Sequence, residues 1–189
     1  MLEKRQKVLN KVDTNSVTKQ ELKYAKKMGI ELPEEITNGD AKAIIANYLD
    51  DDVVASEGIQ RYAEQKGMNF SKYIGQKALY TQLYDNLELD DKIIFFIFTI
   101  YNFYSGDEDT NLLEHKYYKK FEELKDELIK DGLFLTSIEE DYIGEDLVVF
   151  GTAKREVNGK MKTIYGGPNG TRGHNTVLQR LKSEGIIAN

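Results

Sequence analysis

Residues with the potential for catalysis are few in this chain. Metal-dependent nucleases use carboxylates followed by a lysine, and the nearest match here is Asp141, Glu145, Asp146 and Lys154. That pattern requires an acidic residue two positions before the lysine, where this chain has Thr152. The set therefore does not indicate a nuclease.

The histidines and cysteines restrict the chemistry further. The absence of cysteine excludes disulfides, thiol catalysis, zinc ribbons and iron–sulfur clusters. A three-histidine zinc site is impossible with only His115 and His174, and His115 is expected to be a surface or boundary residue. His174 near Arg172 could serve acid–base or phosphate chemistry, but no Ser–His–Asp order accompanies it. We therefore expect no catalytic residues, metal or cofactor, and a binding protein rather than an enzyme.

Charge is distributed unevenly along the 189 residues. Residues 1–30 contain eight Lys/Arg against three Asp/Glu, and residues 151–189 contain seven against two, so each end carries +5. Since the whole chain carries -6, the 120 residues between them carry -16. Phosphate contacts depend on local rather than net charge, so either basic end could bind a polyanion. Ordinary solvated surfaces would give the same pattern.

A glycine-rich segment at 166–173 precedes a short helix predicted to begin near Asn175. Glycine permits close backbone approach, and helix N-termini bind anions. The candidate anion-loop residues are Gly167, Asn169, Gly170, Thr171 and His174. The segment lacks the Gly-Lys-Ser/Thr ending of a Walker loop, and a flexible connector is the alternative.

Before that segment, the pattern predicts a basic β-hairpin. Residues 147–157 read as a strand, and Asn158-Gly159 is a strong signal for a two-residue turn. The expected pairs are Val157 with Lys160, Arg155 with Lys162, and Ala153 with Ile164. The tip would then carry Lys154, Arg155, Lys160 and Lys162. These side chains could contact a nucleic-acid backbone, or they could discourage edge pairing on a solvated hairpin end.

The N-terminal half contains a duplicated unit. Residues 17–49 (the first repeat) align without gaps to residues 55–87 (the second repeat) at an offset of 38, with five identities. The identical pairs are Tyr24/Tyr62, Ala25/Ala63, Gly29/Gly67, Ile36/Ile74 and Leu49/Leu87. Within the first repeat, Thr18 and Glu21 suit a capping box, and Leu32 before Pro33 favours an extended link. The spacing predicts helix, extended link, helix.

This unit resembles the SAP and HeH/LEM-like helix–extended–helix modules. The resemblance covers 33 residues, or 66 with the second repeat. It rests on Thr18, Glu21-Leu22-Lys23, Met28-Gly29-Ile30, Thr37 and the second-helix residues Ile44, Ile45 and Leu49. Such modules often bind DNA or RNA, and some bind protein. The chain departs from the pattern at Asp40-Ala-Lys-Ala, and its second repeat keeps only Arg61 and Lys66 of the early basic cluster.

The middle of the chain supplies core elements. Ile93–Tyr104 is apolar and reads as a buried helix, because strands rarely exceed about 10 residues. Thr110 is predicted to cap an amphipathic helix ending at Lys130, and 133–138 reads as a strand. We therefore expect an α+β fold: a helical region over 1–89 with the tandem units, and an α+β domain over 90–189. The latter would contain core helices, a small antiparallel sheet with the hairpin, and a terminal helix.

Targeting and membrane signals are absent from the pattern. The basic start is not followed by the apolar run of a secretory signal. A helix over 93–104 would rise only about 18 Å, less than a bilayer requires. We expect a cytoplasmic protein without a membrane partner.

The leading expectation is non-catalytic binding to nucleic acid or a nucleoprotein complex, in a protein of phage or mobile-element type. The expected contact residues are Lys19, Lys23, Lys26, Lys27, Arg61, Lys154, Arg155, Lys160, Lys162, Arg172 and Arg180. The alternative is a protein inhibitor or regulator that binds a basic protein surface through the acidic centre. In type, the chain resembles small phage accessory proteins such as anti-CRISPR and anti-restriction inhibitors.

Overall fold

The computed structural model describes residues 12–107, 110–150 and 170–188, together with the backbone of 152–157 and 160–165. These residues are mostly helical. The α-helices are α1 Lys19–Met28, α2 Asn38–Asp50, α3 Glu57–Gln65, α4 Gln76–Asn86, α5 Leu89–Ser105, α6 Tyr118–Leu128, α7 Gly132–Glu140 and α8 Arg172–Ser183. Short 3₁₀ helices span Leu112–Glu114 and Gly144–Leu147, and two strands span β1 Thr152–Val157 and β2 Lys160–Tyr165.

Helix α5 lies at the centre of the core, and the predicted apolar segment 93–104 is helical. Every residue from Ile93 to Asn102 is buried. Its rings point to different neighbours: Phe95 packs against rings of α3 and α4, Phe96 against α7, and Phe98 against α6. Apolar side chains all round the helix explain why it is covered on all sides.

The two repeats have the same backbone construction. In each, a glycine with positive φ follows the first helix, Gly29 at 72° directly after α1 and Gly67 at 75° one residue further on from α3. The residue after that glycine donates its N–H to the same carbonyl position, Ala25 in the first repeat and Ala63 in the second. An isolated antiparallel bridge joins Ser16 to Thr37, and the equivalent bridge joins Val54 to Gly75. All of these correspondences preserve the offset of 38 residues.

The predicted α+β class is wrong, because the segment predicted as the first strand is helix α7. Asp131 accepts hydrogen bonds from the N–H groups of Leu133 and Phe134, which caps the helix. The buried residues Phe134, Ser137 and Ile138 follow helical spacing, and this packing outweighs the β propensity of the run.

Two further boundaries also differ from the prediction. Residues 147–150 belong to a 3₁₀ helix and turn rather than a strand, and β1 begins only at Thr152. The helix predicted from Thr110 begins at Tyr118, since Thr110 donates to the Asp107 carboxylate instead of capping. Between Thr110 and Tyr118, the side chains of Asn111 and His115 accept from the N–H groups of Leu113 and Tyr117, and such local bonds compete with a regular helix.

The strands form one two-stranded antiparallel hairpin. Its register pairs Val157 with Lys160, Arg155 with Lys162, and Ala153 with Ile164, as predicted. The turn residues Asn158 and Gly159 lie outside the described residues. Helix α8 begins at Arg172, three residues earlier than expected, with Thr171 as its N-cap.

One hydrophobic cluster crosses the predicted domain boundary at 89/90. It begins at Ala55 and includes the buried apolar side chains of α3, α4, α5, α6, α7 and α8. None of its buried members comes from the first repeat. In the described part of the chain, no helix has the length and apolar character needed to cross a bilayer.

Candidate nucleic-acid interface

The basic face of α1 is the strongest match to the predicted contact residues. Lys19, Lys23, Lys26 and Lys27 are spaced i, i+4, i+7 and i+8, so they share an arc of about 100° on one side of the helix. All four are exposed. We call these four residues the lysine face.

The lysine face has no internal ion-pair partner among the described residues. Salt bridges of the first repeat involve Lys42, whose Nζ lies 3.4 Å from Asp13 Oδ2. Lys26 and Lys27 lie in the last turn of α1, where the helix dipole favours positive charge. The dipole accounts for two of the lysines, and Lys19 in the first turn has the opposite preference.

Local sequence positions the lysine face firmly. The hydroxyl of Thr18 accepts a hydrogen bond from the N–H of Glu21, and Gly29 closes the other end in the left-handed conformation. The predicted capping box at Thr18 and Glu21 forms only by half. The complete box lies at the start of α2, where Thr37 and Asp40 bond each other's backbone N–H.

The two C-terminal arginines of the predicted set are bound to acidic neighbours. Arg172 Nη2 lies 3.2 Å from Asp131 Oδ2, and Arg180 Nη2 lies 3.3 Å from Glu127 Oε2. The bonds to Asp131, first among them that from the Phe134 N–H, hold the pKa of this carboxyl below its ordinary value. By contrast, Arg61 is exposed on α3. The side chains of Lys154, Arg155, Lys160 and Lys162 lie outside the described residues.

The described part of the predicted anion loop is tied into the fold. The Thr171 hydroxyl caps α8 by accepting from the His174 N–H, and it also bonds the Tyr142 hydroxyl. His174 is buried, with its Nε2 3.4 Å from the Tyr104 hydroxyl and its ring against Phe150. Gly170 lies just before the cap. Gly167 and Asn169 fall outside the described residues.

The second histidine is also buried, which corrects the expectation of a surface or boundary position. His115 follows the 3₁₀ helix Leu112–Glu114 rather than lying within a long helix. Its ring packs among four aromatic rings, those of Phe98, Tyr101, Tyr117 and Phe121. Across the described ranges, no three His, Asp or Glu side chains are grouped to hold a metal ion.

Sequence reasoning missed one feature of the first repeat, an open groove between α1 and α2 of about 300 Å³. The signal was present in the alignment, because Tyr24 and Leu49 line the groove and are identical to Tyr62 and Leu87 of the second repeat.

Comparison with known proteins gives no assignment for the lysine face or the groove. No family model, curated protein or solved structure matches the chain.

Proposed function

We propose that this chain is a non-catalytic nucleic-acid-binding protein, and that α1 contacts the phosphate backbone through the lysine face. Four exposed ammonium groups on one helix face neutralise phosphates without reading bases. The partner is nucleic acid, free or within a nucleoprotein complex. The resemblance of residues 17–49 to SAP-like modules agrees with this proposal.

One observation carries the proposal: the second repeat has the same backbone without the lysines. The positions equivalent to the lysine face are Glu57, Arg61, Glu64 and Gln65. One arginine against two glutamates replaces four lysines, yet α3 begins and ends at nearly the same repeat positions as α1. The fold of the unit therefore does not require the lysines, so a role outside folding accounts for them.

The other predicted residues are weaker candidates for phosphate contact than the lysine face, because some of them already have acidic partners. A phosphate would have to displace Asp131 from Arg172 and Glu127 from Arg180, and each exposed pair stabilises the fold by up to about 1 kcal/mol. Arg61 is exposed and occupies the position equivalent to Lys23. The hairpin lysines remain predicted contacts.

The test replaces all four members of the lysine face by glutamine and measures binding of labelled duplex DNA and single-stranded RNA across salt concentrations. The matched control replaces four exposed lysines elsewhere, Lys72, Lys116, Lys119 and Lys130, which changes the net charge equally. Each lost phosphate contact reduces the slope of log K against log salt by about 0.9 for duplex DNA and 0.7 for single strands. We expect the slope of log K against log salt to be smaller in magnitude by about 3 to 4 for the lysine-face variant.

The control variant should retain most of the slope, because its lysines lie on other elements. Circular dichroism checks that α1 stays folded, since glutamine is also a good helix former. Equal losses in both variants would mean that only overall charge matters. Binding that neither variant changes would reject the lysine face and favour contact through another surface.

A further inference from the structure

The groove between α1 and α2 is an apolar surface that nothing in the described chain covers. Its wall includes Glu21 and Tyr24 from α1, and Lys42, Ile45, Ala46 and Leu49 from α2. Tyr24 is 40% exposed and Leu49 is 53% exposed. Large apolar side chains at this exposure, side by side, are typical of an interaction site.

The second repeat shows what such a groove can hold. The six equivalent positions are Ile59, Tyr62, Tyr80, Leu83, Tyr84 and Leu87, and all of them are buried. At the two identical pairs, exposure falls from 40% at Tyr24 to 1% at Tyr62, and from 53% at Leu49 to 8% at Leu87. The same face of the same unit is therefore covered in one copy and open in the other.

Helix α5 contributes the cover in the second repeat. The ring of Phe95 lies between the two helices, with its centroid 5.9 Å from that of Tyr62 and 5.2 Å from that of Tyr80. One helical turn earlier, Lys92 places its Nζ 4.8 Å from the ring centroid of Tyr84. One face of a helix thus offers an aromatic anchor and a cation, three residues apart.

The chemistry of the open groove matches those two groups. Tyr24 occupies the position of Tyr62 and can stack on an aromatic anchor. Lys42 replaces Tyr80, and its ammonium can lie over the same ring if it leaves its exposed ion pair with Asp13. Glu21 replaces Ile59, and its Oε2 is buried without a hydrogen-bond partner in the described chain. A buried carboxylate oxygen is costly unless a donor reaches it.

We propose that the first-repeat groove binds an amphipathic helix of a partner protein, which inserts an aromatic residue between Tyr24 and Lys42. On the same face, that helix carries a Lys or Arg that pairs with Glu21. The aromatic anchor would repeat in trans the contact that Phe95 makes in cis. The partner of the cation would change, because Ala46 occupies the position of the Tyr84 ring that Lys92 covers. This is the helix-in-groove mode of peptide recognition, with anchors one turn apart.

This site is independent of the proposed nucleic-acid contact. Around α1, Tyr24 lies about a third of a turn and Glu21 almost half a turn from the centre of the lysine face. The first repeat could therefore hold a nucleic acid on one side and a protein helix on the other. The glutamine variant of the lysine face should still bind a helical peptide.

The probe is a labelled peptide of residues 88–101 taken from α5. Ile93, Phe96, Ile97 and Ile100 are replaced by glutamine, because they lie on the side of the helix away from Phe95 and would make the peptide insoluble. Fluorescence anisotropy with the full chain should show saturable binding. Replacing Phe95 by alanine in the peptide should weaken binding at least tenfold.

The protein variant for this test is Leu49→Gln, which should also weaken binding at least tenfold. Its matched control is Val53→Gln, because Val53 is 68% exposed and does not line the groove. No saturation at millimolar peptide, or equal weakening by the two variants, would overturn the groove assignment.

A double-mutant cycle tests the cation. Glu21→Gln should weaken binding of the peptide that retains Lys92 several-fold. It should not change the affinity for a peptide that carries Lys92→Gln. Additive losses would overturn the pairing with Glu21. Sedimentation equilibrium tests whether a second copy of the chain occupies the groove. A dimer that dissociates in the Leu49→Gln variant would overturn the proposal that the occupant is a helix of another protein.

Discussion

At the scale of single residues, His115 is the group whose environment most clearly links structure to pH. Its Nδ1 accepts a hydrogen bond from the Tyr117 N–H at 3.2 Å, so the proton of the neutral ring is on Nε2. Nε2 donates to Asp107 Oδ2 at 3.3 Å. Burial lowers the pKa of His115 below its ordinary 6.5, although the nearby carboxylate of Asp107 acts in the opposite direction.

We predict that His115 makes the protein less stable as the pH falls below about 6.5. In that range the unfolded chain takes up a proton on His115, while the folded chain does not until its lower pKa is reached. The free energy of unfolding therefore falls with pH, by at most about 1.4 kcal/mol per pH unit for one proton. Urea unfolding between pH 4.5 and 7.5 measures the slope.

The comparison variant is His115→Phe, which fits the aromatic surroundings and cannot titrate. It should be less stable at pH 7.5, because Asp107 loses a bonding partner, but its stability should vary less with pH. A variant slope equal to that of the wild type would show that His115 does not determine the pH dependence.

At the scale of elements, the repeats solve the same capping problem differently. The N-cap of α2 is Thr37, which forms a local box with Asp40. The N-cap of α4 is Gly75, which has no side chain, and Asp52 from the linker accepts from the N–H groups of Lys77 and Ala78 instead. A Cβ at Gly75 would lie 2.1 Å from Asp52 Oδ2. The glycine therefore leaves room for a cap supplied from a distance.

We predict that Asp52→Ala lowers the free energy of unfolding by about 1 to 2 kcal/mol, the usual cost of losing a cap. Gly75→Ala should cost a similar amount, because its Cβ displaces the Asp52 carboxylate. The control is Asp50→Ala, two residues away at the exposed end of α2. If Asp52→Ala costs no more than Asp50→Ala in urea unfolding, Asp52 does not cap α4.

These elements show why some features were predictable and others were not. The offset of 38 and the hairpin register depend on local signals, a Gly at a helix end and an Asn-Gly turn, which act within a few residues. Helix α7 was mispredicted because Leu133–Ile138 is a short apolar run that is compatible with a strand or a helix. The packing of its buried side chains in the folded protein selects the helix. The Asp52 cap joins residues 25 and 26 positions apart, so no local pattern contains it. The open groove can be recognised only when the two repeats are compared.

At the scale of the whole molecule, the two repeats contribute differently to the core. The second belongs to the main core, with Tyr62, Leu79 and Leu83 buried against the rest of the cluster. The first contributes only Ala25, Ala41 and Ile45 as buried apolar residues, and none belongs to that cluster. Polar contacts help attach it: Ser71 donates to Asp40 at 2.6 Å, and the Asn47 amide donates to the Tyr73 carbonyl at 2.8 Å. The second copy thus builds the core, and the first leaves its groove open.

We predict from this division that a chain of residues 51–189 still folds. It keeps the main cluster and Asp52, and it loses the hydrogen bonds to Ser71 and Tyr73, worth about 1 kcal/mol each. Its urea unfolding should stay cooperative, and it should bind neither duplex DNA through the lysine face nor the α5-derived peptide. A chain of residues 89–189 should lose cooperative unfolding, because the face of α5 around Phe95 would be exposed. Loss of cooperative unfolding in the chain of residues 51–189 would show instead that the first repeat is part of the folding core.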